Sequence, residues 1–260
     1  MQAKKSYGQH FLKDKNVVKK IVKAADLSSV DFVVEVGPGE GALTEEIVTE
    51  LQKVQNYRKL VLVEADKELI PGLEARFADT KIIQADAARV DYGKLVPKGS
   101  SWALVGNLPY NAANAIIMNA LKSPARPTHM IVMVQKEVAD RMLARAGEMS
   151  LLSVAIQIYT NPKRLFNVKP GSFRPQPKVD SSVVQLDIID SVDREHAEAL
   201  LKIAKAGFSS RRKQLHKNLS AARVASSEKV KDALSEIGLS EKARAQELSV
   251  GEWENLESRI

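Results

Sequence analysis

Gly106-Asn107-Leu108-Pro109-Tyr110 ends a short apolar run and gathers groups with a narrow range of chemistry. Asn107 carries a neutral amide that donates and accepts hydrogen bonds but takes up no proton at ordinary pH. Leu108 offers a backbone carbonyl, Pro109 stiffens the turn, and Tyr110 presents a face on which an extruded base can stack. An adenine exocyclic amine is a poor nucleophile because its lone pair is delocalised into the ring. Two acceptors on its hydrogens, the Asn107 carboxamide oxygen and the Leu108 carbonyl, would draw the nitrogen towards tetrahedral geometry. The pattern points to alkylation of such an amine without a dedicated general base. An isolated Asn-Pro loop with a core tyrosine would read the same way, so the surroundings decide.

Upstream, Glu35-Val36-Gly37-Pro38-Gly39-Glu40-Gly41 closes one apolar run and opens a helical pattern. Glycines let the backbone turn sharply and approach a ligand with no Cβ in the way. Through Ala42 the stretch also fits the dinucleotide fingerprint. Glu64 ends the next apolar run, where a carboxylate can accept both hydroxyls of a ribose, serving NAD and S-adenosylmethionine equally. Asp86 follows the third run, and an acid there suits the adenine amine of S-adenosylmethionine. One such acid is ordinarily a solvated loop charge. Three at successive strand ends, beside a glycine turn, describe a nucleoside site.

The elements that must position these groups are legible as short runs rich in Val, Ile and Leu: residues 32–36, 60–64, 81–85, 103–106 and 130–134. That texture suits strands buried on both faces, and the intervening segments are long enough for crossover helices. The fold expected is α/β, a Rossmann-like, doubly wound parallel sheet, with ligands outside the carboxyl ends of the strands. After Phe166, Pro170, Pro175 and Pro177 interrupt any helix, and residues 181–188 alternate like a strand. Beyond Asp190 the pattern is helical. Leu200, Leu201, Ile203 and Ala204 share a face, Val230, Leu234 and Ile237 precede a capping Gly238, and Ser249 with Glu252 forms a capping box. The boundary is placed near residue 190, giving a sheet domain over 1–189 that carries the candidate site and a small all-α domain over 190–260.

The chain has 260 residues, no cysteine and four histidines, which removes disulfide and thiolate chemistry and leaves no expectation of a metal site. The formal net charge of +7 favours a polyanionic partner. The basic N-terminal residues lack a following apolar core, and no apolar run is long enough to span a bilayer, so a cytoplasmic protein with no membrane partner is expected. Lys202, Lys205, Arg211, Arg212, Lys213, His216 and Lys217 crowd a short region whose phosphate contacts would position RNA without reading its sequence. Trp253 reads as core, whereas Tyr7 and Phe11 could cap the site or simply pack.

Asn-Leu-Pro-Tyr after such a glycine turn resembles the ribosomal RNA adenine dimethyltransferases, and the resemblance runs almost the whole chain. Residues 4–12 are similar to the family's N-terminal segment, and Gln135-Lys136-Glu137-Val138 to the end of its fifth strand. Residues 172–181 resemble its Phe-x-Pro-x-Pro-x-Val-x-Ser element, and Phe208 to Lys213 with Asn218-Leu219 its basic C-terminal helix. The resemblance implies that His10, Leu12, Gly37, Gly39, Glu64, Asp86 and Asn107 hold S-adenosylmethionine. It implies that Phe173 faces the target base opposite Tyr110, with Leu108 and Pro109 completing the catalytic turn, and that Arg211, Arg212, Lys213 and Lys217 touch RNA. The substrate implied is two adjacent adenosines near the 3′ end of small-subunit ribosomal RNA in an assembly intermediate, dimethylated by a monomer. The segment after Arg145 is shorter than is usual in the family. The competing readings are a large-subunit adenine methyltransferase of the antibiotic-resistance type, a ribosome-assembly factor without turnover, and, more distantly, an NAD-dependent oxidoreductase, which leaves residues 107–110 unexplained.

Overall fold

The computed structural model describes residues 10–53 and 59–260. The chain divides into two compact units, one of residues 1–139 and 163–188, the other of residues 140–162 and 189–260.

The first unit is built on a seven-stranded sheet. Strands β2 (Phe32–Val36), β3 (Leu60–Glu64), β4 (Lys81–Gln84), β5 (Trp102–Asn107) and β6 (His129–Gln135) come from the apolar runs of the sequence. They are joined by α2 (Ala42–Lys53), α3 (Ile70–Arg76) and α4 (Ala113–Lys122). Including β7 (Thr160–Val168) and β9 (Ser181–Ile188), the order across the sheet is β4-β3-β2-β5-β6-β9-β7. The pairs β3–β4, β2–β3, β2–β5 and β5–β6 are parallel and β6–β9 is antiparallel. All five residues of β3 are buried, as a strand covered on both faces requires. The direction of strand succession reverses between β2 and β5, so the crevice outside their carboxyl ends is the topological switch point at which open α/β sheets bind ligands. At this place Gly106 brings the two strands close, since a Cβ there would lie 2.6 Å from the Val36 carbonyl oxygen.

Before the sheet, β1 (Phe11–Leu12) leads into α1 (Lys15–Ala24) and pairs antiparallel with β8 (Phe173–Arg174). The α1 helix is capped by Asp14, whose carboxylate accepts from the Asn16 and Val17 amides, and it buries Val18, Ile21 and Val22. Three strands escape the sequence pattern. β1 and β8 are two residues each, too short for alternation to register. β7 carries Pro162, Lys163 and Arg164 and lies last in the sheet order, where a proline and charges are tolerated because one side of the strand forms no ladder. β4 stops at Gln84, so Asp86 stands in the loop beyond it rather than ending the strand.

After α5 (Lys136–Met142), which follows β6, the second unit is helical: α6 (Leu151–Gln157), α7 (Arg194–Gly207), α8 (Leu215–Ala221), α9 (Ser227–Glu236) and α10 (Val250–Glu257). Gly238 has φ +80° just past α9, and its amide and that of Leu239 close back on the Ser235 and Leu234 carbonyls. The Ser249–Glu252 capping box opens α10 with both of its reciprocal bonds, and Trp253 is fully buried behind it. Residues 140–162, which the sequence pattern assigns to the sheet domain, pack in this helical unit. The shortened segment after Arg145 is held there by the Gly147 and Met149 amides, both donating to the Gln246 carbonyl. A pairing made across a hundred residues of chain leaves no local mark in sequence.

Candidate active site

A cavity of about 490 Å³ opens at the switch point. Its floor is the turn after β2, where Gly37 and Gly39 have φ of +68° and +58°, in the left-handed region that favours glycine. The Gly37 amide donates to the Val63 carbonyl at 3.0 Å, tying the turn to β3. The Phe11 ring lies against Gly39 so closely that a Cβ there would meet it at 3.0 Å. Phe11 and Leu12 form one wall of the cavity, while Tyr7 lies outside the described residues.

Glu64 is 6% exposed, and each of its carboxylate oxygens is already engaged. One accepts from the Gly39 amide at 3.1 Å and the other from the Asp66 amide at 2.9 Å. This grip fixes the carboxylate while leaving lone pairs for a ligand. Burial pushes its pKa up, against the lowering effect of the amide bonds from Asp66, Gly39 and Ala65. Asp86 is more open. One of its oxygens accepts from the Ala88 amide at 2.9 Å and the other stands 3.6 Å from Arg89. The loop carrying Asp86 is pinned by Asn119, whose amide donates to the carbonyls of Ala87 and Val90, and by the Tyr92 hydroxyl, which donates to Ala87.

Glu35 stands at the back of the cavity with 1% exposure, and burial pushes its carboxyl up to about 8, with the neighbouring Glu64 acting in the same direction. One Glu35 oxygen is buried without a hydrogen-bond partner. Glu35, Glu40, Glu64 and Asp86 all contribute to the cavity wall, and among the described residues no lysine or arginine does. In a chain of net charge +7, this acidic, cation-free pocket is a local inversion.

Asn107, Leu108, Pro109 and Tyr110 also line the cavity. The Asn107 side-chain nitrogen donates to the His10 carbonyl at 2.9 Å, which sets the orientation of the amide and leaves its oxygen as the available acceptor. The Leu108 amide donates to the Met133 carbonyl at 3.1 Å, while the Pro109 carbonyl accepts from Ala112 and Ala113 to start α4. Tyr110 is half-buried. Its hydroxyl meets the Ser181 hydroxyl at 2.8 Å, and burial raises its pKa against that bond. The His10 ring lies 5.4 Å from the Tyr110 ring, centroid to centroid, and its Nδ1 donates to the Pro175 carbonyl at 2.8 Å. Sequence reasoning gives Ser181 no role in this contact. Its only sequence signal is its place at the end of the proline-rich element.

Ten of the residues singled out in sequence thus line one cavity: His10, Leu12, Gly37, Gly39, Glu64, Asp86 and residues 107–110. Phe173 does not. It is 4% exposed and packs in the apolar core, paired across the β1–β8 ladder with Leu12. In this structure Phe173 pairs with the strand that carries Leu12.

In the second unit, Arg211, Arg212 and Lys213 occupy the turn between α7 and α8 rather than a helix, and all three are exposed, as are Lys202, Lys205 and Lys217. Asn218 shapes that turn from inside, its amide donating to the carbonyls of Gly207 and Ser210. His216 does not belong to the charged surface. It is 6% exposed, bonded to Ser227 and Gln214, and its pKa is lowered by burial and then by nearby Lys231 and Lys217.

The family model described as ribosomal RNA adenine dimethylase matches residues 1–260. A protein of Dehalococcoides mccartyi named ribosomal RNA small subunit methyltransferase A is 37% identical over 98% of this chain and 88% of its own length. A protein of the same name from Caldanaerobacter subterraneus is 35% identical over 100% of this chain and 98% of its own length. Among solved structures, a dimethyladenosine transferase from Plasmodium falciparum superposes with a TM-score of 0.78 at 24% identity, over 95% of this chain and 96% of that one. A 23S ribosomal RNA methyltransferase superposes with a TM-score of 0.74, also at 24% identity, over 96% of this chain and 99% of that one. At that identity the two structures show a shared fold.

Proposed function

The chain belongs to the ribosomal RNA adenine dimethylase family, and on that premise we propose that it dimethylates the exocyclic amines of two adjacent adenosines near the 3′ end of small-subunit ribosomal RNA. The methyl donor is S-adenosylmethionine. We further propose that the enzyme works as a cytoplasmic monomer on an assembly intermediate of the small subunit. The large-subunit alternative is not favoured, because the relatives at 35–37% identity carry the small-subunit name.

The observation that carries this reading is the acidic cavity closed by a pre-oriented Asn107. A dinucleotide cofactor brings a diphosphate, which the carboxylates of Glu40, Glu64 and Asp86, with no lysine or arginine on the cavity wall, would repel. S-adenosylmethionine brings a ribose, an adenine amine, an ammonium and a sulfonium beside a single carboxylate, so it is a net cation rich in donors. When bound, it supplies a methyl group made electrophilic by the positive sulfur. Glu64 is held to accept the ribose hydroxyls, Asp86 stands on the adenine side, and Glu35 supplies a buried acceptor at the back.

Tyr110, fixed through its hydroxyl to Ser181, offers its ring face to an extruded target adenine. The Asn107 oxygen and the Leu108 carbonyl accept the two amine hydrogens, so that the lone pair points into the cavity. No side chain in the turn can serve as a base, and the methylated ammonium, strongly acidic, loses its proton to water. Positioning supplies the rate. The exposed cations Arg211, Arg212, Lys213 and Lys217 serve as phosphate contacts.

The test is methyl transfer from labelled S-adenosylmethionine to unmethylated small and large ribosomal subunits, followed by nucleoside mass spectrometry. Dimethyladenosine in the small-subunit RNA is expected. Methylation confined to large-subunit RNA would overturn the reading.

A further inference from the structure

The solvent face of α1 carries a charge pattern that neither the cavity nor the α7–α8 turn uses. Lys15, Lys19 and Lys23 recur at every fourth residue, each exposed, with a rise of about 6 Å per step. The opposite side of the helix buries Val18, Ile21 and Val22. Lys13, also exposed, precedes the helix. The one carboxylate in the segment, Asp14, is occupied, capping the helix and accepting from the Ser172 hydroxyl at 3.0 Å. No described residue forms an ion pair with Lys15, Lys19 or Lys23. Like charges four residues apart disfavour a helix, and a face that is only solvated usually mixes both signs. An uncompensated lysine row is a cost that a polyanionic partner would relieve.

Its position matters as much as its charge. Leu12, on the cavity wall, lies three residues before Lys15. The Lys13 amide donates to the Ser172 carbonyl at 2.8 Å, so the start of the helix is fastened to the proline-rich element. The row therefore begins three residues after the cavity wall in the chain, on a helix whose start is fastened to the proline-rich element.

We propose that Lys15, Lys19 and Lys23 form a phosphate track for the RNA strand flanking the target adenosine, a contact of the catalytic unit itself. The inference rests on the reading of ribosomal RNA as substrate. Ammonium groups on flexible stems follow a backbone without reading bases, which suits a strand whose register is set by the base held at Tyr110.

The experiment compares wild type with K15A/K19A/K23A and K15R/K19R/K23R, using unmethylated small ribosomal subunits as the probe. For the alanine variant, KM for the subunits should rise about tenfold, and the slope of log affinity against log salt should fall by roughly 2 to 3. Its kcat at saturation and its S-adenosylmethionine affinity should stay as in wild type. The arginine variant should behave as wild type. An unchanged KM and salt slope in a folded alanine variant overturns the track, and so does an arginine variant as impaired as the alanine one. A wild type that binds with a lysine-dependent slope but transfers no methyl would break the enzymatic reading and leave the track standing. Methylation with a lysine-independent KM would do the reverse.

Discussion

The cavity at the switch point and the turn between α7 and α8 differ in sign of charge and in how tightly their side chains are held. In the cavity, Glu64 accepts two backbone amides, Asn107 donates to His10 and Tyr110 is tied to Ser181. In the turn, Asn218 fixes the backbone while the guanidinium and ammonium groups of Arg211, Arg212 and Lys213 stand free in solvent. Chemistry at one nitrogen needs acceptors fixed to a fraction of an ångström. Phosphate binding needs charge that can adapt. Single substitutions should therefore be severe in the first region and graded in the second.

The comparison breaks most sharply at Asn107. Asn107→Ala should lower turnover about a hundredfold or more, as loss of a positioned transition-state partner does. Single-turnover methyl transfer on unmethylated small subunits measures it, and a loss under tenfold would remove Asn107 from the chemistry. Glu64→Ala should come next, weakening S-adenosylmethionine binding by about 1.5–3 kcal/mol per charge-assisted bond lost. Glu64→Gln, which keeps an acceptor for the turn amides, should lose less, and calorimetry separates the two.

Glu35 sharpens the contrast through pH. Its carboxyl is raised from 4.5 to about 8, so the folded chain holds a proton that the unfolded chain releases. The stability this confers is complete below pH 4.5 and is lost as pH rises towards 8, by up to ~1.4 kcal/mol per pH unit. The raised Glu64 acts with the same sign. Glu35→Gln should flatten denaturant-derived stability across that window, and an unchanged slope would mean the carboxyl is ionised in the fold.

In the turn, replacing Arg211, Arg212 and Lys213 together by alanine should weaken RNA binding several-fold and lower the salt slope by about 2, with S-adenosylmethionine affinity unaffected. An unaltered slope would show that these groups are not phosphate contacts. The smallest effect is expected for Tyr110→Phe, which keeps the ring and loses only the bond to Ser181. It should be a few-fold slower, and Tyr110→Ala much slower. A phenylalanine variant as impaired as the alanine one would give the hydroxyl a chemical role.

Much of this was legible along the chain because the signals were local. The apolar runs of β2, β3, β5 and β6 mark strands covered on both faces, and the glycine turn, Glu64, Asp86 and residues 107–110 follow those strands at their carboxyl ends, which a parallel sheet must bring together. The capping residues around Gly238 and Ser249 act within one helical turn and were equally readable. Phe173, Ser181, His10 and Asn218 were different. Whether an aromatic ring faces a cavity or the core, which hydroxyl a tyrosine meets, and which carbonyl orients an amide depend on partners 8 to 165 residues away in the chain. Residues 10–12 reach the cavity only because β1 pairs with β8 and lays Phe11 on Gly39. Residue types and short spacings carry the chemistry a chain can perform, since propensity, capping and turn geometry act over a few residues. Packing and hydrogen-bond satisfaction are summed over the whole fold, and they placed Tyr110 rather than Phe173 on the cavity wall and tied the Asn107 nitrogen to the His10 carbonyl.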